Sequence, residues 1–195
     1  MDDLIYESAV KIADRIKKKE VSSLEVVSAY LDRIDSINSS LNSVVQICSE
    51  RAINEAKLAD KAIEEGNTIG PLHGVPFTLK DSLDAEGIIS SAGTQGRSSF
   101  IPEKDATVTS RLRKAGGILL GKTNTPEFTL AAETDNLVYG RSNNPYNTKK
   151  MPGGSSGGSA ATVAAVSLFT VSFVSKDLII DDIGLITVYP AGASY

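Results

Sequence analysis

The chain has 195 residues, 41% of them hydrophobic and 23% charged, the balance of a folded domain rather than of a disordered tail or a fibre. Twenty basic against 24 acidic residues leave a formal charge of −4, so no basic excess is present to neutralise a nucleic-acid backbone. One cysteine, Cys48, and one histidine, His73, exclude an internal disulfide, a cysteine zinc cluster and a multi-histidine metal site.

The first residues, Met1, Asp2 and Asp3, are acidic where a secretion signal is basic, and no apolar core follows them. No apolar run reaches the ~18 residues that cross a bilayer. The most apolar stretch, 160–174, is interrupted by Thr162, Ser167, Thr170 and Ser172. A soluble, cytoplasmic protein without membrane or direct nucleic-acid partners is expected.

In chain order, Leu4, Ile5, Ala9, Ile12 and Ile16 recur at helical spacing. Ser22 and Ser23, with Glu25 in the first turn, mark a second helix start, followed by a broad stripe through Val26, Val27, Tyr30 and Ile34. The Asn/Ser-rich residues 38–42 read as a turn, and the β-branched 44–48 as a short strand. Residues 49–65 return to helix, with alanines at 52, 56, 59 and 62, and Gly66 ends it.

The texture changes at Gly70. Val75, Phe77 and Leu79 alternate as in a strand that ends at Lys80 and Asp81. Residues 105–114 predict a helix capped by Asp105 and closed by Gly116 and Gly117. Ile118, Leu119 and Leu120 read as a buried strand, 134–152 as a long loop of the kind that often carries function, and 160–165 as a small-residue helix. Alternating helices and strands predict an α/β fold in a single domain.

Residues 153–159, Gly-Gly-Ser-Ser-Gly-Gly-Ser, place four glycines and three serines directly before a helix. Such a segment is either a flexible linker or a cradle whose backbone N–H groups meet a phosphate, a carboxylate or an oxyanion. Lys80, at the end of an apolar strand, is either a surface lysine paired with Asp81 or a buried general base. Residues 116–123 match the phosphate-loop pattern G-x-x-x-x-G-K-[ST], but their context is wrong. A helix precedes them, their interior reads as the strand, and Pro126 follows three residues later. Lys122 is therefore expected at a strand end. His73 lies in a Gly/Pro turn, and Cys48 is expected to be a buried small hydrophobe.

The string Gly74-Val75-Pro76-Phe77-Thr78-Leu79-Lys80-Asp81, followed at a distance by residues 153–159, closely resembles the amidase signature family of amidases, fatty acid amide hydrolases and the A subunits of glutamyl-tRNA amidotransferases. The likeness runs from about residue 5 to about 165 and takes in 121–128 and 140–146. It implies an α/β/α sandwich around a mixed sheet, with N-terminal helices packed on it. It also implies a serine hydrolase acting on a small-molecule amide without cofactor or metal, through a Lys-Ser-Ser triad. In that triad Lys80 corresponds to the neutral base. Ser155 corresponds to the relay serine, which in the family follows a cis peptide bond. Gly153, Gly154, Ser156, Gly157 and Gly158 correspond to the surrounding substrate- and oxyanion-binding turn.

The family's third member, the nucleophile in a Gly-Gly-Ser turn, has no counterpart here. Counting its usual separation from Ser155 reaches Ile179. A gapped match of 182–191, which keeps Asp182, Ile183, Gly184, Pro190 and Ala191, puts Ile186 in the slot. Neither isoleucine has a nucleophilic atom. A truncated member with a divergent tail over 166–195 is expected, inactive by itself. The alternatives are a working hydrolase that uses another nucleophile or is completed by another chain, and a non-catalytic binding or interaction module that keeps the Gly/Ser cradle. Apolar runs at 178–180 and 183–188, with an unpaired sheet edge, predict self-association.

Overall fold

The computed structural model describes residues 4–166, 168, 170 and 171. The tail beyond them, with Ile179, Ile186 and the apolar runs expected to drive self-association, lies outside the described residues.

Two segments form the predicted N-terminal helix. Leu4–Tyr6 is a 3-10 turn, and α1 is Ala9–Lys17. Ser8 separates them: it takes an extended conformation, and its hydroxyl accepts the N–H of Lys11. Helix α2, Ser23–Leu41, opens with a capping box. Ser22 Oγ accepts from Glu25 N at 3.0 Å, and Glu25 Oε2 accepts from Ser22 N at 2.8 Å. Its start is closed a second time by Asp60, whose carboxylate takes the N–H groups of Ser23 and Leu24.

The predicted turn at 38–42 is displaced. The helix runs on to Leu41, and Asn42, with a left-handed φ of 48°, closes it. The Asn/Ser composition has its use here. From inside the last helical turn the Asn38 side chain donates to Val44 O and accepts from Ser43 N and Val44 N, fixing the entry to β1, Val44–Ile47. Helix α3 is Ser49–Glu64. Its Ala52, Ala56 and Ala59 are fully buried, so α2 and β3 (Ile118–Thr123) approach it closely.

Strand β2 is Pro76–Lys80 and helix α4 is Thr107–Lys114. Asp105 does not cap α4. Ala106 stands at the cap position without a side-chain bond, while Asp105 accepts from Glu86 N at 2.7 Å and pairs with Arg113 at 3.3 Å. An aspartate before a helix is a cap only where no competing loop claims it, and here the 84–86 loop does.

Helix α5 is Gly157–Val166, three residues earlier than predicted, and β4 is Thr170–Val171. The described sheet has the order β1-β3-β2-β4, with β1 antiparallel to β3 and the other pairs parallel. It is the mixed α/β sheet that was expected. All five residues of β2 and all six of β3 are buried, as in central strands covered on both faces. Helix α5 lies against β1, β2 and β3. Register pairs Leu79 with Lys122 and Lys80 with Thr123. Strand alternation therefore sends Lys80 and Thr123 to one face of the sheet and Lys122 to the other.

Candidate functional site

Lys80 is the last residue of β2 and is 4% exposed. Its ammonium nitrogen lies 2.8 Å from Ser155 Oγ and 3.0 Å from Ser156 Oγ. It is not paired with Asp81. Burial pushes its pKa below the ordinary lysine value, with no carboxylate acting to raise it. A lysine held by two hydroxyls in a dry site is one that gives up its proton easily.

The Gly/Ser segment that carries these hydroxyls is pinned, unlike a linker. Thr134 Oγ1 donates to Gly153 O at 2.8 Å and accepts from Gly157 N at 2.9 Å, so one threonine closes both ends of the turn. Thr125 Oγ1 donates to Ser155 O at 3.0 Å. The peptide bond between Gly154 and Ser155 is cis. Gly153 has a φ of +88° and open space where a side chain would stand. The other glycines make room for protein. A Cβ on Gly154 would meet the backbone of Ala132 and Glu133, and one on Gly158 the backbone of Asn124 and Ser43. A Cβ on Gly157 would run into the Thr134 side chain, and the Gly157 N–H is spent on that hydroxyl. At these three positions the missing side chain lets the turn and the start of α5 sit against residues 132–134 and against Asn124 and Ser43. On the same side Thr123 Oγ1 and Ser159 Oγ are 2.7 Å apart, anchoring the first turn of α5 to β3.

On the opposite face lies a second buried lysine, for which the sequence suggested only a place at a strand end. Lys122 is fully buried, the next-to-last residue of β3, with Nζ 2.8 Å from Ser90 Oγ and 3.5 Å from Asp81 Oδ1. Asp81 accepts from Ser91 Oγ at 2.6 Å. Burial pushes the Lys122 pKa down and the Asp81 pKa up, and each partner's charge opposes the other's shift. The available signal was a lysine inside an apolar strand, since a fully buried charge needs a partner.

His73 and Cys48 stay outside the site. His73 is buried in its turn, Nδ1 accepting from Ile69 N at 3.0 Å and Nε2 donating to Ala59 O at 2.9 Å. Both ring nitrogens are occupied by backbone partners. Cys48 is half-buried at the cap of α3, rather than fully buried as expected. Residues 116–123 are the end of a helix turn and strand β3, so no phosphate loop forms there. No helix among the described residues is long and apolar enough to cross a membrane.

Comparison with known proteins bears on this arrangement. The family described as Amidase matches residues 25–170. This chain belongs to that family, whose chemistry is the hydrolysis of amides. Among curated proteins it is 41% identical over 165 residues to the A subunit of the glutamyl-tRNA(Gln) amidotransferase of Dehalococcoides mccartyi, covering 85% of this chain and 34% of that one. It is 39% identical over 163 residues to the corresponding protein of Moorella thermoacetica, with 84% and 34% covered. Among solved structures it superposes on a fatty acid amide hydrolase with a TM-score of 0.82 at 29% identity, covering 85% of this chain and 29% of that chain. On the native peptide amidase from Stenotrophomonas maltophilia the TM-score is 0.74 at 33% identity, with 81% and 34% covered. The chain spans about a third of the length of the curated relatives it matches.

Proposed function

We propose that this chain carries the base and the relay of an amide hydrolase site but not its nucleophile. One observation carries the reading. The Lys80 amine, 4% exposed, has the Ser155 and Ser156 hydroxyls 2.8 and 3.0 Å away and no carboxylate lowering its acidity. Lys80 is the neutral general base, and Ser155 passes a proton between it and a nucleophile. Ser156 and the turn from Gly153 to Gly158 frame the substrate, a small-molecule amide. In this sequence Ile179 or Ile186 stands where the family places the nucleophile, and no Gly-Gly-Ser occurs after residue 159. The chain by itself then has nothing for the relay to activate.

A serine-directed fluorophosphonate tests this. Labelling followed by intact mass is expected to be absent or very slow, because Ser155 would attack without a dedicated oxyanion turn. Loss of one donor of such a turn costs ~10²–10³ in rate. Rapid stoichiometric labelling at Ser155, abolished by Lys80→Ala, would show a hydrolase whose nucleophile is Ser155 and overturn the reading.

A further inference from the structure

The orientation of Lys80 depends on what holds the residue after it. Asp81 is 1% exposed and tied at both ends. Its N–H donates to Thr123 O at 2.9 Å, and its carboxylate accepts from Ser91 Oγ at 2.6 Å. Ser91 Oγ also accepts from Gly93 N at 3.0 Å, so the same hydroxyl shapes the loop it sits on. The other carboxylate oxygen, Asp81 Oδ1, has no hydrogen-bond partner and faces Lys122 Nζ at 3.5 Å. Lys122 in turn donates to Ser90. Strand β2 is thus locked to strand β3 and to residues 90–93 at the point where its chain leaves the sheet. Immediately before that point, and on the other face, Lys80 reaches Ser155 and Ser156. Lys80 O accepts from Leu83 N at 2.9 Å, which completes a turn around the lock.

We propose that Asp81, held by Ser91 and by the buried Lys122, is the positioning residue that aims Lys80 at Ser155. This rests on the reading of Lys80 as the base. Asp81 touches neither serine of the Gly/Ser turn. It acts through the backbone, fixing where β2 ends and hence how deep the Lys80 amine sits. Asp81 and Lys122 balance each other's charge, so the lock exposes no net charge to the sheet interior. The other titratable groups whose charges reach the pair are Asp84 and Cys48, which act on Lys122, and Tyr139, which is near Asp81 and Ser91. None of the three forms a hydrogen bond to Lys80.

The test reads Lys80 directly in the full chain. Trace labelling of amines with acetic anhydride is followed peptide by peptide by mass spectrometry from about pH 6 to about pH 11, with exposed Lys150 as reference. In the unmodified protein Lys80 is expected to titrate below the ordinary lysine value. In Asp81→Ala, and more mildly in Ser91→Ala, the Lys80 midpoint is expected to rise by about one unit. That corresponds to an approximately tenfold loss of neutral amine at a fixed pH below the midpoint. The double variant Asp81→Asn, Lys122→Met keeps an acceptor for Ser91 and removes both charges, and it is expected to restore the original profile. A purely structural role lowers stability without moving this profile, so each variant is read below its own melting temperature. A lowered wild-type midpoint left in place by both single variants overturns the positioning role alone. An unshifted wild-type midpoint overturns the base assignment, and this inference with it.

Discussion

Two buried lysines stand at the ends of neighbouring strands, one residue out of step and on opposite faces of the sheet. Lys122, fully buried, has a carboxylate and a hydroxyl as partners. Lys80, 4% exposed, has two hydroxyls only. In both cases burial lowers the pKa, but only at Lys122 does a counter-charge oppose the shift. The difference separates a paired lysine from one with hydroxyl partners only, the environment the proposed base needs. A buried carboxylate beside a lysine opposes the loss of its proton and ties two elements together. A lysine among hydroxyls can give its proton up and take it back.

Breaking the Asp81–Lys122 pair is expected to have the largest effect. Lys122→Met leaves the Asp81 carboxylate buried without its cation, and removing one member of a buried pair costs about 3–5 kcal/mol. Urea unfolding followed by circular dichroism measures it. A loss below about 1 kcal/mol would place Lys122 among ordinary surface ion pairs.

The scaffold of the Lys80 site comes next. Thr134→Val removes the acceptor of the buried Gly157 N–H and the donor to Gly153 O. An unsatisfied buried donor costs about 1–3 kcal/mol. The same unfolding measurement is expected to show that loss, while the Asp81–Lys122 side, on the other face, keeps its geometry.

Lys80 itself is expected to matter least for stability. Lys80→Met removes a desolvated amine and breaks no ion pair, so the change should stay within about 1 kcal/mol of zero. Its signature is in the pH dependence. The folded pKa of Lys80 lies below the unfolded value of 10.5, so between the two the unfolded chain binds more protons. The contribution of Lys80 therefore disfavours folding at low pH and is relieved as pH rises toward 10.5. Unfolding midpoints compared at neutral pH and near pH 9 should show a smaller alkaline gain in Lys80→Met than in the unmodified chain. Equal gains would mean that Lys80 is solvated or charge-paired and no base.

Local signals were legible wherever neighbours in sequence supply the physics. The capping box of Ser22 and Glu25, the alanine stripe of α3, the apolar strand that ends at Lys80 and the Gly/Ser turn before α5 all read correctly to within a few residues. Errors arose where a side chain answers to a distant element. Asp105 serves the 84–86 loop instead of its own helix. Asn38 fixes a strand entry from within a helix that outlasts the Asn/Ser run. At 154, 157 and 158 composition shows the glycines but not the close backbone and Thr134 neighbours that a Cβ there would meet.

The sequence by itself determined that Lys80 closes an apolar strand and that a Gly/Ser turn starts a helix, because strand periodicity and glycine content are local properties. It also placed isoleucine, and no serine, at 179 and 186. Tertiary structure decided which partner each lysine takes. The pairing of Leu79 with Lys122 and of Lys80 with Thr123 sends the two amines to opposite faces, and only chain segments 75 residues beyond Lys80 or 32 residues before Lys122 determine what waits there. Adjacent Lys80 and Asp81 look like an ion pair in one dimension; strand alternation makes that pairing impossible in three.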